Sequence, residues 1–431
     1  MTTDRRDFLK AAGTGLLLGG GALRRDAFAA ESARGSTLTQ GSPDIVVVGA
    51  GAFGGWTAYY LSRMGARVTL VDAYGPGNSR ATSGDETRGV RSSYGTEAYA
   101  DLWIRWAREA MSRWKTFDEE WGRQMKVRLF FTTGDMIFRE KEEPFTTRTR
   151  EAWQKLGIRH ETPSPEDVRR EYPVIDLERI TVVLHEPDAG VVRARRACEV
   201  VAEAFRQNGG EVVIGTASLE AQQGTRLNSI HLEGPAGSVR AGTFVFALGP
   251  WFPKFFPSLM GRRIFTPMGH VHYFGTPPGD HRFTFPNLPS WNFPGVTGWP
   301  ALPSDNRGFR VRWRGDRLFD PDLSQRAFAR KHDKQARKLL EERFPLLEKM
   351  PVLETRACHY ELSASRNFII DRHPDFENVW IAGGGSAEGF KFGPVLGEYV
   401  AKRVLGDAGD PEVAEGFSLK MSDPQPPQSR R

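Results

Sequence analysis

The chain is poor in cysteine. Its 431 residues contain two, Cys198 and Cys358, too few and too isolated for a disulfide framework or a cysteine-rich zinc site. Long apolar runs are missing as well. No stretch reaches the ~20 apolar residues of a membrane-spanning helix, which excludes a span. Charge of one sign is also scarce. The formal net charge is +6, and the first 29 residues, with five Lys/Arg against three Asp, supply +2 of it, which leaves +4. That surplus is too small to make nucleic acid a partner. No internal repeat marks a solenoid or propeller. What remains is an ordinary soluble composition in a chain longer than one compact core usually holds.

The first 29 residues are set apart from the rest. Arg5 and Arg6 precede Phe8, Leu9 and Lys10, a short Gly-rich and weakly apolar run covers 11–23, and Ala27-Phe28-Ala29 forms a small-residue site. Paired arginines, a modest apolar region and an A-x-A site predict a twin-arginine signal over 1–29, with Asp4 where Ser or Thr is usual. That route exports folded proteins, so it suits a protein that takes up a cofactor before reaching the periplasm or the exterior. A polar linker follows over 30–43.

Buried parallel strands are predicted where short β-branched runs stand between turn residues: Ile45–Val48, Arg67–Val71, Glu211–Ile214, Thr243–Ala247 and Val379–Ala382. Helical patterns cover Trp56–Arg63, Glu97–Trp121, Pro163–Tyr172, Val192–Asn208, Leu323–Phe344 and Gly393–Leu405. The stretch from Phe265 to Trp313 is aromatic and strand-like. These elements predict a mixed α/β (α+β) fold. A Rossmann-type nucleotide lobe is assembled from 44–95, 185–260 and 355–410. A substrate lobe with a mixed or antiparallel sheet takes 96–184 and 261–354, and the polar, Pro-rich 411–431 is expected to be a flexible tail.

Gly49-Ala50-Gly51-Ala52-Phe53-Gly54 fits G-x-G-x-x-G. Gly49 permits the tight turn, Gly51 lets backbone approach a pyrophosphate, and Gly54 allows close helix–strand packing. The motif follows a strand and opens a helix whose first N–H groups are free for phosphate. Asp72 ends the next strand, near the offset of a ribose-binding acid. The acid disfavours NADP. The motif alone does not separate FAD from NAD.

Three further blocks make that separation. Ser83 to Gly95 contains Gly84-Asp85-Glu86-Thr87-Arg88-Gly89-Val90-Arg91. Cys358-His359-Tyr360 stands shortly before Phe368-Ile369-Ile370-Asp371, and Ala382 to Phe392 contains Gly385, Glu388, Gly389, Phe390 and Lys391. In this order they resemble the monomeric sarcosine oxidase and N-methyltryptophan oxidase branch of the D-amino-acid-oxidase-like flavoproteins, over about Asp44 to Leu405. The resemblance implies FAD and oxidation of an amine next to a carboxylate. A hydride passes from the substrate C–H to flavin N5, and the resulting imine is hydrolysed. Arg91 and Lys391 match residues that grip the substrate carboxylate, a task suited to a guanidinium fork. Arg88 matches an arginine beside the flavin, and Thr87 is placed to bond it. Cys358 matches the cysteine that forms a thioether to the flavin 8α carbon. Tyr360 and Trp299 are candidate pocket residues. The remaining cofactor contacts fall on Ser83, Val213, Gly249, Gly385, Gly389, Phe390 and Lys391. Cys198, among Ala and Val in a helix, reads as core.

The pattern departs at one functional position. A family lysine that promotes reaction with oxygen falls on Arg310, and a nearby histidine falls on Arg314. Arginine keeps the charge but cannot lose its proton, so the acceptor is oxygen or a quinone-type molecule. Glu388 replaces a residue that is often histidine. The leading expectation is oxidation of a secondary or N-methylated amino acid. Oxidation of a cyclic imino acid or a primary amino acid is the near alternative, a non-catalytic flavoprotein serving as a partner is a second, and an NAD dehydrogenase is a third.

Overall fold

A computed structural model of the protein describes residues 44–220, 224–234, 237–303, 307–315, 318–326 and 330–421. The expected export leader and linker, 1–43, lie outside the described residues. Among those described, no helix is long and apolar enough to cross a membrane.

A six-stranded sheet runs in the order Ile369–Arg372, Val379–Gly383, Thr243–Phe246, Ile45–Val48, Val68–Asp72, Glu211–Ile214. Its neighbours are parallel except at the Ile369–Arg372 edge. Alternation explains the unbroken apolar runs. Val46 and Val48 enter one core with Phe244 and Phe246, while Ile45 and Val47 enter another with Trp56. A strand covered on both faces has no side left for polar residues. The helix Ala52–Arg63 crosses the helix Gly393–Val404 closely. A Cβ at Gly393 would lie 2.5 Å from Trp56 Cδ1, and one at Gly397 would lie 2.4 Å from Trp56 Cβ. Glycine on one helix thus makes room for tryptophan on the other.

A second sheet of seven strands is mainly antiparallel and runs Val352–His359, Met268–Phe274, Phe309–Trp313, Val296–Trp299, Ser290–Phe293, Asp135–Arg139, Val182–Glu186. One face packs Phe138, Trp291, Phe309 and Val311 under the helix Arg330–Arg343. The period of two sends the alternate residues the other way. Trp299, Arg310 and Arg312 therefore face the six-stranded unit and line a cleft there.

Several sequence expectations need correction. The tail is not uniformly irregular: Pro411–Gly416 is a helix, and Val413, Phe417 and Leu419 are buried. Three apolar residues at that spacing dock the segment despite its polar composition. The helix expected over Leu323–Phe344 is Arg330–Arg343, and Pro321–Leu323 is a turn. Residues 190–192 form a strand before the helix Ala194–Gln207, and Pro144–Lys155 is a helix the pattern did not reveal. The lobe boundaries move too. Ala100–Phe117, assigned with the substrate lobe, presents Trp103, Ala107, Ala110 and Trp114 to the core beside the six-stranded sheet. Val352–His359, which the boundary at 355 split, lies wholly in the seven-stranded sheet.

Candidate active site

The glycine turn forms one end of a long cleft of about 340 Å³. Gly49 has φ +106°, and a Cβ there would lie 2.3 Å from the Ala247 carbonyl oxygen. Gly51 precedes the helix with no side-chain cap of its own. Instead Ser83 Oγ accepts the Ala52 N–H at 3.0 Å across the cleft. The following N–H groups of the first turn are left for a phosphate. Asp72 lines the same end. Its Oδ2 accepts the Ala50 N–H at 2.7 Å, and its Oδ1 accepts those of Tyr74 and Gly75 at 2.8 Å. The acid therefore also fixes the turn. Burial pushes it up, and these three bonds pull it back.

At its far end the cleft meets Arg88, Tyr360, Glu361, Gly385, Gly389 and Phe390. The loop from Gly384 turns sharply there: Gly384, Ser386 and Ala387 have φ of +69°, +48° and +62°. Two non-glycine residues in the left-handed region store strain of the kind found at ligand sites. A smaller pocket of about 50 Å³ adjoins this end and shares Arg88, Arg312, Ala387 and Phe390 with it. Arg91, Trp299, Arg310, Arg314, Glu388 and Lys391 complete most of its wall.

Charge is densely arranged around the small pocket. Lys391 is buried, and its Nζ donates to Glu388 Oε2 at 2.5 Å. Tyr94 donates its hydroxyl to the same oxygen at 3.0 Å, and Arg314 pairs with Oε1. Burial alone would raise the Glu388 carboxyl, but Lys391, Arg314 and Arg91 hold it well below the carboxylate range. Burial pushes Lys391 down to about 8, with Glu388 opposing and Arg91 assisting. Arg91 approaches Asp135 Oδ2 with its Nε at 3.9 Å. Deeper in, Arg310 meets Asp85 at 3.0 Å with both side chains 1% exposed. Its guanidinium lies 3.9 Å from the Trp299 ring centroid. Asp85 also pairs with Arg88, and the two arginines outweigh burial to keep it ionised. Arg310 Nε and Nη1 are buried without a hydrogen-bond partner among the described residues.

The structure brings Gly49, Gly51, Ala52, Phe53, Asp72, Ser83, Arg88, Gly249, Tyr360, Gly385, Gly389 and Phe390 onto the long cleft, and Arg91, Arg310 and Lys391 onto the small pocket. Five expected contacts differ. Lys391 lies on the small pocket and outside the lining of the long cleft. Val213 points into a core, and Gly215, Thr216 and Ala217 line the cleft instead. The Thr87 hydroxyl accepts Trp299 Nε1–H at 3.1 Å and contacts the Tyr273 hydroxyl at 3.3 Å, so it braces the pocket wall. Tyr360 donates its hydroxyl to the Gly315 carbonyl and sits on the long cleft, not the small pocket. Gly54 lies outside the lining, in the packing role its motif position predicts: its Cβ would fall 1.8 Å from the Gly49 carbonyl oxygen. The Cys358 backbone pairs with Gly269, but its side chain lies outside what the structure describes. Cys198 is buried, and burial pushes its thiol up to about 12.

Sequence reasoning missed Asp85, Asp135, Tyr94 and Glu361. Asp85 had a signal, an opposite charge three residues before Arg88 within the matched block. Asp135 had none, because it arrives from a distant strand.

The bare Gly51 floor, the remaining free N–H groups of the helix start and the cleft that runs on to Arg88 and Phe390 fit a dinucleotide. Comparison with known proteins agrees. A family model described as FAD dependent oxidoreductase (DAO) matches residues 44–403. Monomeric sarcosine oxidase from Arthrobacter sp. is 25% identical over 83% of this chain and 91% of its own length. N-methyl-L-tryptophan oxidase from Yersinia pestis is 26% identical over 87% and 98%. Among solved structures, L-proline dehydrogenase from P. horikoshii shares the fold with a TM-score of 0.74 at 19% identity, over 88% of this chain and 97% of that one. Iminodiacetate oxidase from Chelativorans sp. BNC1 does so with a TM-score of 0.70 at 19% identity, over 87% and 98%.

Proposed function

We propose a reaction for a chain that belongs to the FAD dependent oxidoreductase (DAO) family: oxidation of a small secondary or N-methylated amino acid to its imine. The observation that carries this reading is the placement of Arg91 and Lys391 on one pocket directly beside the ring end of the cofactor cleft. Bound FAD supplies the acceptor, flavin N5, for the hydride that leaves the substrate C–H. The protein supplies orientation. Arg91 and Lys391 grip the carboxylate, and the pocket wall keeps the amine side toward the long cleft. Burial excludes water while the C–H bond breaks, and water adds to the imine after release. A pocket of about 50 Å³ favours a small amino acid over an indolyl one. Turnover of an N-methylated amino acid with an artificial electron acceptor should yield formaldehyde and the demethylated amino acid in equal amounts. No carbonyl product from any secondary amino acid would overturn the reading.

The grip has a pH dependence. Lys391 must be protonated to hold a carboxylate, and burial has brought it to about 8. KM for the amino acid should therefore rise as pH climbs through about 8. Glu388 is the anion that raises Lys391, so Glu388→Gln should move this rise to lower pH. A pH profile of kcat/KM checks the direction, and a shift to higher pH would contradict it.

The acceptor follows from Arg310. Its guanidinium is held by Asp85 at 3.0 Å in a site with 1% exposure and shares that carboxylate with Arg88, and unlike a lysine it has no proton to release to reduced oxygen. Reduced enzyme mixed with oxygen in stopped flow should reoxidise slowly, and a quinone should reoxidise it faster. Fast reaction of the wild type with oxygen would remove this reading.

Cys358 is proposed as the covalent tether through its sulfur to the 8α carbon. Acid-precipitated wild-type protein should retain flavin fluorescence and Cys358→Ala should release it. Retention in that variant would refute the tether.

A further inference from the structure

Tyr94 lies outside the lining of both the long cleft and the small pocket. It is buried, and its ring packs against Trp103 and Phe392 with centroids 5.5 Å and 5.8 Å away. A ring held by those contacts carries its hydroxyl to one place, where it donates to Glu388 Oε2 at 3.0 Å. Lys391 Nζ donates to the same oxygen at 2.5 Å and lies 5.3 Å from the Tyr94 ring centroid. Phenol and ammonium therefore share one carboxylate oxygen, while Arg314 pairs with the other. A buried phenol needs a hydrogen-bond partner, and a backbone carbonyl would meet that need. Here the partner is the atom on which the charge of Lys391 depends.

We propose that Tyr94 is a positioning residue for the carboxylate grip: by sharing Oε2 of Glu388 it weakens the hold of Glu388 on Lys391 and leaves that ammonium available to the substrate. The inference rests on the grip proposed above. A carboxylate already stabilised by a neutral donor gains less from a cation at the same oxygen. Lys391 is sensitive to this because opposing influences meet on it. Burial pushes it down to about 8, Glu388 raises it, and Arg91 and Arg314 lower it. Asp135 faces it from the second sheet. The helix Ala100–Phe117 presents Trp114, whose Nε1 donates to the Lys391 carbonyl at 2.8 Å. Burial, and Glu388 after it, push the Tyr94 phenol well above its usual value, so it remains a neutral donor while Lys391 titrates. Without the phenol, Oε2 turns wholly to Lys391. The ammonium then persists to higher pH, and Glu388 competes for it more strongly with a bound carboxylate.

Binding of methoxyacetate to the oxidised holoprotein, followed by calorimetry from about pH 6 to about pH 10, tests this without turnover. The compound is the ether analogue of N-methylglycine, with the carboxylate but no amine to oxidise. Wild-type Kd should rise as pH passes about 8. Tyr94→Phe keeps the ring and its packing. In that variant the rise should come at least about half a pH unit higher, a modest shift for one hydrogen bond to a charged group. Its Kd below the rise should exceed that of the wild type. In a Glu388→Gln background, Tyr94→Phe should leave the pH of the rise where it is. A rise at the same or a lower pH in Tyr94→Phe overturns the role of Tyr94 and leaves the grip standing. An equal upward move in the Glu388→Gln background also overturns it, because the effect would not pass through that carboxylate. A wild type whose Kd does not rise near pH 8 contradicts the grip itself, and the role of Tyr94 falls with it.

Discussion

Arg91→Met is expected to lower kcat/KM for the amino acid substrate by about two to four orders of magnitude. The estimate comes from two charge-assisted hydrogen bonds to one carboxylate, at ~1.5–3 kcal/mol each, with a factor of ten for every ~1.4 kcal/mol. Arg91 suits this task because its wall is already prepared. Asp135 lies 3.9 Å from its Nε and steadies the guanidinium without closing a short ion pair around it. Lys391 cannot take over the whole grip, since its Nζ is engaged by Glu388 at 2.5 Å. Arg91→Lys should recover only part of the loss, because a point charge cannot reproduce the fork. In the proposed grip the two cations share one ligand, so Arg91→Met combined with Lys391→Met should cost less than the sum of the single losses. Steady-state kinetics with an artificial acceptor measure all three. The flavin spectrum should remain that of the wild type, because neither side chain lines the long cleft. Unchanged kcat/KM in Arg91→Met would remove the carboxylate grip from the account.

The second large effect belongs to the glycine turn. Gly54→Val is expected to prevent accumulation of folded, yellow protein. Its Cβ would lie 1.8 Å from the Gly49 carbonyl oxygen and 3.0 Å from the Gly49 carbonyl carbon. Both are backbone atoms of the same turn, so neither can move without opening it. Overpacking typically costs ~1–3 kcal/mol and more where the neighbours cannot yield, a large part of the ~5–15 kcal/mol that stabilises a folded domain. Gly51→Ala provides the contrast. Its Cβ would meet only Ser83 Oγ at 3.3 Å, and the residue already has φ −74°. That variant should fold with a melting temperature near the wild type and bind FAD more weakly, since the methyl group covers the floor the pyrophosphate must approach. Soluble yield, thermal melting and flavin content per chain separate the two. A yellow, stable Gly54→Val would contradict the packing argument.

The sequence showed some parts of this site better than others, for physical reasons. Ile45–Val48, the glycine turn and Asp72 were legible because one strand, one turn and one helix act locally. Arg310 was legible from the family position it occupies, and the strand that sends alternate residues to one face brings Arg312 beside it. The partners of those charges were not. Asp85 closes on Arg310 across the fold, Glu388 gathers Lys391, Arg314 and Tyr94 from separate segments, and Asp135 reaches Arg91 from the second sheet. Thr87 and Tyr360 carried hydroxyls that composition cannot assign. Tertiary contacts direct one to Trp299 and the other to the Gly315 carbonyl. Val213 had the right strand but the wrong face, and the chain enters the cleft two residues later at Gly215. Docking of 411–421 was hidden by a polar composition in which three apolar residues do the packing.

The central claim is that the pocket beside the FAD cleft orients an amino acid through its carboxylate for oxidation. Anaerobic mixing of the wild-type holoprotein with an N-methylated amino acid, and separately with the methyl ester of the same compound, tests it most directly. The account predicts that the acid bleaches the visible flavin absorption and that the ester does so at least ~100-fold more slowly, the loss expected when a charged hydrogen-bond grip is removed. Equal bleaching by acid and ester, or no bleaching by any amino acid, would contradict it.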